Sequence, residues 1–128
     1  MNSELSNKAK KIKLVATDID GVWTDSKMYY TSEGVFMKSF STYDGMGAYH
    51  LMKNNFIVAM ITSEYENIDI LKTRAAKLNI KEVYTHESKK IKRIQYLTEK
   101  YNLKSENIAY IGDDINDLEV LRYAGLSA

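Results

Sequence analysis

The 128-residue sequence predicts an α/β fold with a doubly wound parallel sheet and an inserted β-hairpin. Short apolar runs that end at polar residues are typical of strands covered on both faces. Segments whose apolar residues recur at helical spacing separate these runs. Strands that alternate with helices form parallel sheets, because right-handed crossovers place the helices on both faces. One stretch breaks the alternation and has the pattern of two strands around a tight turn.

Four short apolar segments are predicted as strands: residues 12–17, 56–62, 82–85 and 108–112. A first helix is predicted over about residues 46–53, with Asp44 near its N-terminus as a cap. Apolar residues that share one face indicate later helices. These residues are Ile68, Leu71, Ala75 and Leu78, then Ile91, Ile94, Leu97 and Tyr101, then Leu118, Leu121 and Arg122 before Gly125.

The stretch that breaks the alternation is KMYYTSEGVFMKSF, residues 27–40. It predicts two strands around a Ser-Glu-Gly turn, inserted after the first strand. We call residues 26–41 the flap. Residues 1–11 are polar, and we expect them to form an N-terminal arm of a single domain that occupies residues 1–128.

The composition of the chain excludes several classes of partner and site. Lys and Arg number 18 against 17 Asp and Glu, so charge gives no reason to expect nucleic acid or an acidic membrane as partner. The absence of cysteine excludes disulfides and thiolate zinc sites. The longest apolar run, residues 56–61, is too short to cross a bilayer, and the N-terminus lacks the apolar segment of a signal peptide. We therefore expect a cytoplasmic protein.

Polar and charged side chains follow every predicted strand. They are Asp18 and Asp20 after the first, Thr62 and Ser63 after the second, Lys89 and Lys90 after the third, and Asp113, Asp114 and Asp117 after the fourth. Because the carboxyl ends of parallel strands meet at one edge of the sheet, these groups should lie close together.

Carboxylates gathered at one edge would repel one another unless a cation joined them. Oxygen ligands without histidine or cysteine favour Mg²⁺, which commonly also binds phosphate oxygens of a substrate. The cluster is not a calcium-binding EF-hand. A loop that started at Asp18 would place Trp23 where glycine is required and Tyr29 where glutamate is required.

Four segments in chain order, TDIDGVWTD, ITSE, SKK and IGDDIND, resemble the signature motifs of the haloacid dehalogenase superfamily of phosphohydrolases. The resemblance extends over about residues 11–127 and is greatest to the class without a separate cap domain. That class includes phosphatases of 3-deoxy-D-manno-octulosonate 8-phosphate and of sialic-acid-type nonulosonate 9-phosphates. The resemblance implies a Rossmann-like fold and a Mg²⁺-dependent phosphatase whose substrate is a phosphorylated sugar acid.

The resemblance also implies catalytic roles. Asp18 would be the nucleophile that forms an aspartyl-phosphate, and Asp20 would be the general acid and base. Mg²⁺ would be held by Asp18, the backbone carbonyl of Asp20, and Asp113. Lys90 would neutralise developing charge and steady Asp18.

Further residues would bind phosphate or support these groups. Gly21, Thr62 and Ser63 would contact the phosphoryl group, and Asp114 and Asp117 would support the metal and the lysine.

Two positions depart from the family pattern where substrate is recognised. Ser63 and Glu64 stand where the family often has glycine and arginine, and Glu64 points toward the nonulosonate branch. Glu64 could accept hydrogen bonds from sugar hydroxyls, while Arg74 or Lys77 could meet a substrate carboxylate. Alternatively, all three belong to a solvated helix face with ordinary ion pairs.

The resemblance also bears on assembly and on the end of the chain. Trp23, Tyr29, Tyr30 and Tyr43 either pack within the hairpin or dock on another subunit, since an isolated hairpin is only marginally stable. Members of the family are commonly tetramers whose hairpins meet centrally, so we expect a homotetramer. The sequence stops after residues 125–128, where family members continue through another strand, so we expect a shortened C-terminal end.

Two other classes of protein share some of these features. A signalling receiver domain also combines an α/β sheet with clustered aspartates, but its phosphorylated aspartate follows the third strand rather than the first. A haloacid dehalogenase-like binding or assembly protein without catalysis is the other alternative, and the intact Asp18 and Asp20 argue against it.

Overall fold

The computed structural model describes residues 2–128, so Met1 of the predicted arm lies outside the described residues. The helices are α1 (Ser3–Lys11), α2 (Thr42–Lys53), α3 (Asp69–Lys77), α4 (Lys90–Lys100) and α5 (Leu118–Tyr123). The strands are β1 (Leu14–Thr17), β2 (Tyr29–Thr31), β3 (Gly34–Met37), β4 (Ile57–Ile61), β5 (Glu82–Tyr84), β6 (Ile108–Ile111) and β7 (Leu126–Ser127). Short 3₁₀-helices, Ser105–Asn107 and Ile115–Asp117, precede β6 and α5.

Strand β1 lies at the centre of a parallel sheet with strand order β5-β4-β1-β6-β7. Leu14 pairs with Ile57 on one side and with Ile108 on the other. Strand β1 therefore ends beside both β4 and β6, and the residues that follow these three strands share one edge of the sheet.

Two apolar cores cover the opposite faces of this sheet. One contains Leu14 and Ile61 together with residues of α4 and α5. The other contains Val58 and Met60 together with residues of α2 and α3. The predicted doubly wound parallel sheet is confirmed, and residues 2–128 form no separate cap domain.

The flap contains the predicted hairpin, which β2 and β3 form by antiparallel pairing of Thr31 with Gly34. Its strand β3 rests on the loop that follows β4. The side-chain amide of Asn67 donates to the carbonyl oxygen of Val35 at 3.0 Å, and the Val35 amide donates to Glu66 Oε2 at 3.4 Å. The flap is thus attached to the loop that continues from the predicted phosphate-binding residues.

Helix α2 begins four residues before the predicted start, so the assignment of Asp44 as the cap was wrong. Ser41 is the cap, because its hydroxyl accepts a hydrogen bond from the Tyr43 amide at 3.2 Å. Asp44 instead lies within the first turn, where a carboxylate interacts favourably with the helix dipole.

Two elements at the ends of the described chain were not expected. Helix α1 lies where a polar arm was predicted, and none of its residues is buried. Strand β7 pairs with β6, and the adjoining Ala128 carbonyl accepts a hydrogen bond from the Gly112 amide at 3.0 Å. No helix within residues 2–128 is long and apolar enough to cross a membrane.

Candidate active site

The ends of β1 and β6 bring a set of carboxylates together. Asp18 directly follows β1, and its amide donates to the carbonyl oxygen of Ile111 in β6 at 2.9 Å. Carboxylate oxygens of Asp18, Asp113 and Asp117 all lie within 4.8 Å of one another. Three carboxylates this close require positive charge between or beside them.

Lys90 supplies part of that positive charge. It is the first residue of α4, and its side chain is only 1% exposed. Its ammonium nitrogen lies 2.9 Å from Asp18 Oδ1 and 2.8 Å from Asp117 Oδ1. Lys89, by contrast, is exposed. A buried ammonium between two carboxylates fixes the position of both.

Asp117 is fully buried and accepts hydrogen bonds on both carboxylate oxygens. Oδ1 receives the Lys90 ammonium at 2.8 Å and the Tyr110 hydroxyl at 2.5 Å, and Oδ2 receives the amides of Asp113 and Asp114, each at 3.2 Å. Burial alone would raise the pKa of Asp117, but these donors hold the pKa below its ordinary value. Asp117 therefore stays ionised and anchors both Lys90 and the loop that carries Asp113.

In Asp18, by contrast, the effect of burial on the pKa outweighs the effect of the hydrogen-bond donor. Burial raises its pKa to about 6, although the hydrogen bond and charge of Lys90 act to lower it. A second positive charge near a carboxylate that is partly desolvated and bound by only one cation would stabilise its ionised form further. Asp18 is therefore well suited to share a cation with Asp113.

The space beside Asp113 depends on a glycine. Gly21 has a φ of +89°, and a Cβ atom placed on it would lie 1.7 Å from Asp113 Oδ2. The Asp113 carboxylate thus occupies a cradle that only glycine leaves open. Asp113 and Asp18 together offer hard oxygen ligands and no nitrogen or sulfur ligand, so the residues present fit a divalent cation such as Mg²⁺.

Asp20 is not part of this cluster and is paired instead with a lysine of the flap. Both of its carboxylate oxygens accept hydrogen bonds from the ammonium of Lys38, at 2.9 and 3.1 Å. The same ammonium lies 4.0 Å from Glu64 Oε2. The carboxylates of Asp18 and Asp20 therefore have separate lysine partners.

The loop after β4 is tightly structured around Thr62 and Ser63. The Thr62 hydroxyl accepts from the Glu64 amide at 3.0 Å, and the Ser63 hydroxyl accepts from the side-chain amide of Asn116 at 3.3 Å. The Glu64 carboxylate oxygen Oε1 accepts from the amides of Tyr65 and Glu66, each at 2.9 Å. Glu64 thus stabilises this turn with one oxygen and faces Lys38 with the other.

The remaining predicted residues lie at the periphery. Asp114 caps the 3₁₀-helix after β6 by accepting from the Ile115 amide at 2.6 Å. Arg74, on α3, donates to the Ser41 carbonyl oxygen at 3.1 Å, and its guanidinium carbon lies 5.7 Å from the centre of the Phe40 ring. Lys77 is exposed on the same helix and lines, with Arg74 and Lys38, a groove of about 490 Å³.

Lys38 and Tyr110 are parts of the site that the sequence did not indicate. Lys38 follows strand β3 of an exposed hairpin, where a lysine is ordinarily solvated, and its burial arises only when the flap packs on the loop after β4. Tyr110 has the pattern of an apolar core residue within β6. Neither position carries a local signal that distinguishes it.

An apolar cavity of about 400 Å³ opens beside Asp113. Val15, Leu51 and Ile111 are among the residues that line it, together with Gly21 and Asp113. A ligand group larger than phosphate could therefore be accommodated next to the carboxylates.

Residues 7–128 match the family described as haloacid dehalogenase-like hydrolase. The chain belongs to this family. Within this hydrolase family, it is 34% identical over 127 residues to the 3-deoxy-D-manno-octulosonate 8-phosphate phosphatase of Salmonella typhi. The alignment covers 99% of this chain and 66% of that protein, so the chain spans just under two thirds of the length of its curated relative.

Solved structures of this hydrolase family have the same fold. A 3-deoxy-D-manno-octulosonate 8-phosphate phosphatase from Moraxella catarrhalis, in complex with magnesium, phosphate and KDO, is 36% identical. It superposes with a TM-score of 0.90 over 98% of this chain and 71% of that one. The corresponding phosphatase from Yersinia pestis is 32% identical, with a TM-score of 0.92 over 99% of this chain and 68% of that one.

Proposed function

We propose that the protein is a Mg²⁺-dependent phosphomonoesterase that hydrolyses a phosphorylated sugar acid through an aspartyl-phosphate. The observation that carries this proposal is the position of the Asp18 carboxylate, buried beside Asp113 and held at 2.9 Å by the ammonium of Lys90. A nucleophile fixed among charges that can neutralise a phosphoryl group is what phosphoryl transfer requires.

In the first step, a carboxylate oxygen of Asp18 attacks phosphorus while the bond from phosphorus to the ester oxygen breaks. Asp20 gives a proton to the departing sugar oxygen. In the second step, Asp20 takes a proton from water, whose oxygen attacks the phosphorus of the aspartyl-phosphate. The bond from phosphorus to the Asp18 oxygen breaks, which regenerates the Asp18 carboxylate and releases inorganic phosphate. Lys90 holds the Asp18 carboxylate before the attack and neutralises the charge that develops on the phosphoryl group.

The ligands of the cation would be Asp18, Asp113 and the backbone carbonyl of Asp20. When bound there, Mg²⁺ supplies positive charge that neutralises and orients the phosphoryl oxygens. Thr62, Ser63 and Gly21 are the proposed contacts of the phosphoryl group. Asp117 supports this arrangement because it holds Lys90 and the Asp113 loop in place.

The substrate is proposed to be a sugar acid that carries its phosphate on a terminal carbon. The names of the relatives favour 3-deoxy-D-manno-octulosonate 8-phosphate. Glu64 favours a nonulosonate 9-phosphate, and Arg74 and Lys77, which line the groove on α3, offer positive charge for the carboxylate of either sugar. If the groove has no such role, Arg74 and Lys77 simply belong to a solvated helix face.

The test is phosphate release, with Mg²⁺, from a panel that contains both sugar acid phosphates and neutral sugar phosphates. We expect release from a sugar acid phosphate, its loss in Asp18→Asn, and its loss when a chelator removes the metal. Asp25→Asn is the matched control, because Asp25 is exposed and follows the same strand. Undiminished release by Asp18→Asn would refute the nucleophile, and undiminished release with chelator would refute the role of the metal. If folded protein that binds Mg²⁺ releases phosphate from no substrate of the panel, the alternative of a binding or assembly protein is favoured instead.

A further inference from the structure

The flap places a buried cation next to the proposed general acid. The side chain of Lys38 is 6% exposed, and its ammonium nitrogen lies 2.9 Å from Asp20 Oδ1 and 3.1 Å from Asp20 Oδ2. Glu64 Oε2 lies 4.0 Å from the same nitrogen. Burial of an ammonium is unfavourable unless carboxylates accept its hydrogen bonds, so Lys38 and Asp20 stabilise each other.

The position of Lys38 depends on how the flap packs on the loop after β4. Strand β3 is held to the loop after β4 by the hydrogen bonds of Val35 to Asn67 and Glu66. Lys38 follows β3 directly, and its ammonium bridges that same loop, through Glu64, to Asp20 after β1. The Lys38 side chain therefore connects the Asp20 carboxylate to the loop on which the flap rests.

We propose that Lys38 is a positioning residue that fixes the orientation of the Asp20 carboxylate for proton transfer to the leaving oxygen. This inference rests on the proposed phosphatase function. Contact with both carboxylate oxygens restricts rotation of the carboxyl group, and this rotation decides which oxygen faces the substrate. Proton transfer requires the donor to lie within hydrogen-bonding distance of the leaving oxygen, so a freely rotating Asp20 transfers its proton less often.

The inference predicts an effect that depends on the leaving group. A sugar alkoxide needs a proton as it leaves, whereas p-nitrophenolate is stable without one. For Lys38→Met, we expect kcat/KM to fall about 100-fold with the sugar phosphate and only several-fold with p-nitrophenyl phosphate. Lys38→Arg, which keeps the charge and the donors, should recover part of the loss. Lys27→Met is the control, because Lys27 is an exposed lysine of the same flap and should leave both values unchanged.

A double-mutant cycle with Asp20→Asn tests whether Lys38 acts through Asp20. If it does, Lys38→Met adds little to the loss that Asp20→Asn already causes with the sugar phosphate. Circular dichroism and thermal unfolding establish that each variant is folded. If Lys38→Met does not fold, Lys38→Gln replaces it in the same comparison, since the glutamine amide group still donates hydrogen bonds but lacks the charge.

Equal losses with the two substrates, or full additivity with Asp20→Asn, would overturn the role of Lys38 while leaving the phosphatase intact. Wild-type protein that releases phosphate from neither substrate would overturn the proposed function, and the inference with it.

Discussion

At the scale of single residues, Asp18 is in an environment that opposes its own charge. Its carboxylate is buried, and burial raises its pKa to about 6 even though Lys90 lies 2.9 Å away. The ionised form of Asp18, which its proposed role as nucleophile requires, is thus less favourable in the folded protein than in the unfolded chain. A local loss of stability of this kind is common at active sites and agrees with the proposed role of Asp18.

Replacement of Asp18 by asparagine should therefore stabilise the metal-free protein while it abolishes phosphate release. Because the folded pKa is raised, Asp18 contributes stability only at low pH, and this contribution is lost as the pH rises from about 3.8 through about 6. The variant should be more stable than the wild type by roughly 1–3 kcal/mol at pH 8, and the difference should narrow at pH 5.

Urea unfolding in the presence of a chelator at the two pH values measures this difference. Asp25→Asn serves as the control, since this exposed residue accepts a hydrogen bond from the Lys27 amide that asparagine can also accept. An Asp18→Asn variant that is less stable than the wild type at pH 8 would contradict the prediction.

The sequence predicted the residues of the site that follow strands, but not those that reach it from elsewhere. Asp18 and Asp113 could be placed together because strands of a parallel sheet end at one edge. Lys38 could not, because its burial depends on how the flap packs against a loop far from it in sequence. In the sequence, Tyr110 resembles an ordinary core residue, because only the folded structure shows that its hydroxyl donates to Asp117.

At the scale of elements, strand β5 is a short edge strand that one buried carboxylate ties to helix α4. Glu82 accepts hydrogen bonds from Lys100 at 2.6 Å and from the hydroxyls of Tyr84 and Tyr101. Burial would raise the pKa of Glu82, but these donors hold the pKa below its ordinary value. The stability that Glu82 contributes is therefore present above its unfolded pKa and is lost as the pH falls through the lowered folded value.

Replacement of Glu82 by glutamine should destabilise the protein by about 1–3 kcal/mol at pH 7, because the amide group leaves some of the three donors without an acceptor. Urea unfolding measures the change, and Glu99→Gln, at an exposed position on α4, is the control. Equal stability of the two variants would show that the Glu82 network is not a tie between β5 and α4.

The types of most elements followed from apolar periodicity, whereas their ends did not. Helix α2 starts at Thr42 because the Ser41 hydroxyl caps it, although Gly45 and Gly47 weaken the local helical pattern. Strand β7 has only two residues and no alternation, so its existence depends on the edge that β6 offers.

At the scale of the whole molecule, the flap exposes large apolar side chains. Tyr30 is 61% exposed and Phe36 51% exposed, whereas Trp23 is buried in the core. A two-stranded hairpin with apolar residues in water is only marginally stable by itself. These residues support the proposal that flaps of several subunits dock on one another in a homotetramer.

The double variant Tyr30→Ser and Phe36→Ser should therefore shift the protein from an oligomer toward a monomer. Light scattering coupled to size-exclusion chromatography measures the mass, and Leu5→Ser is the control because Leu5 is a similarly exposed apolar residue on α1. Wild-type protein that is monomeric at high concentration would refute docking through the flap.

The order of strands in the sheet determines the stage of folding at which the carboxylates of the site come together. Asp18 follows β1, near the start of the chain, while its neighbours Asp113 and Asp117 follow β6, near the end. During synthesis, Asp18, the proposed nucleophile, emerges from the ribosome long before Asp113 and Asp117 do. Pairing of strands so distant in sequence is slow, so acquisition of a cation would mark the completion of folding rather than an early stage of it.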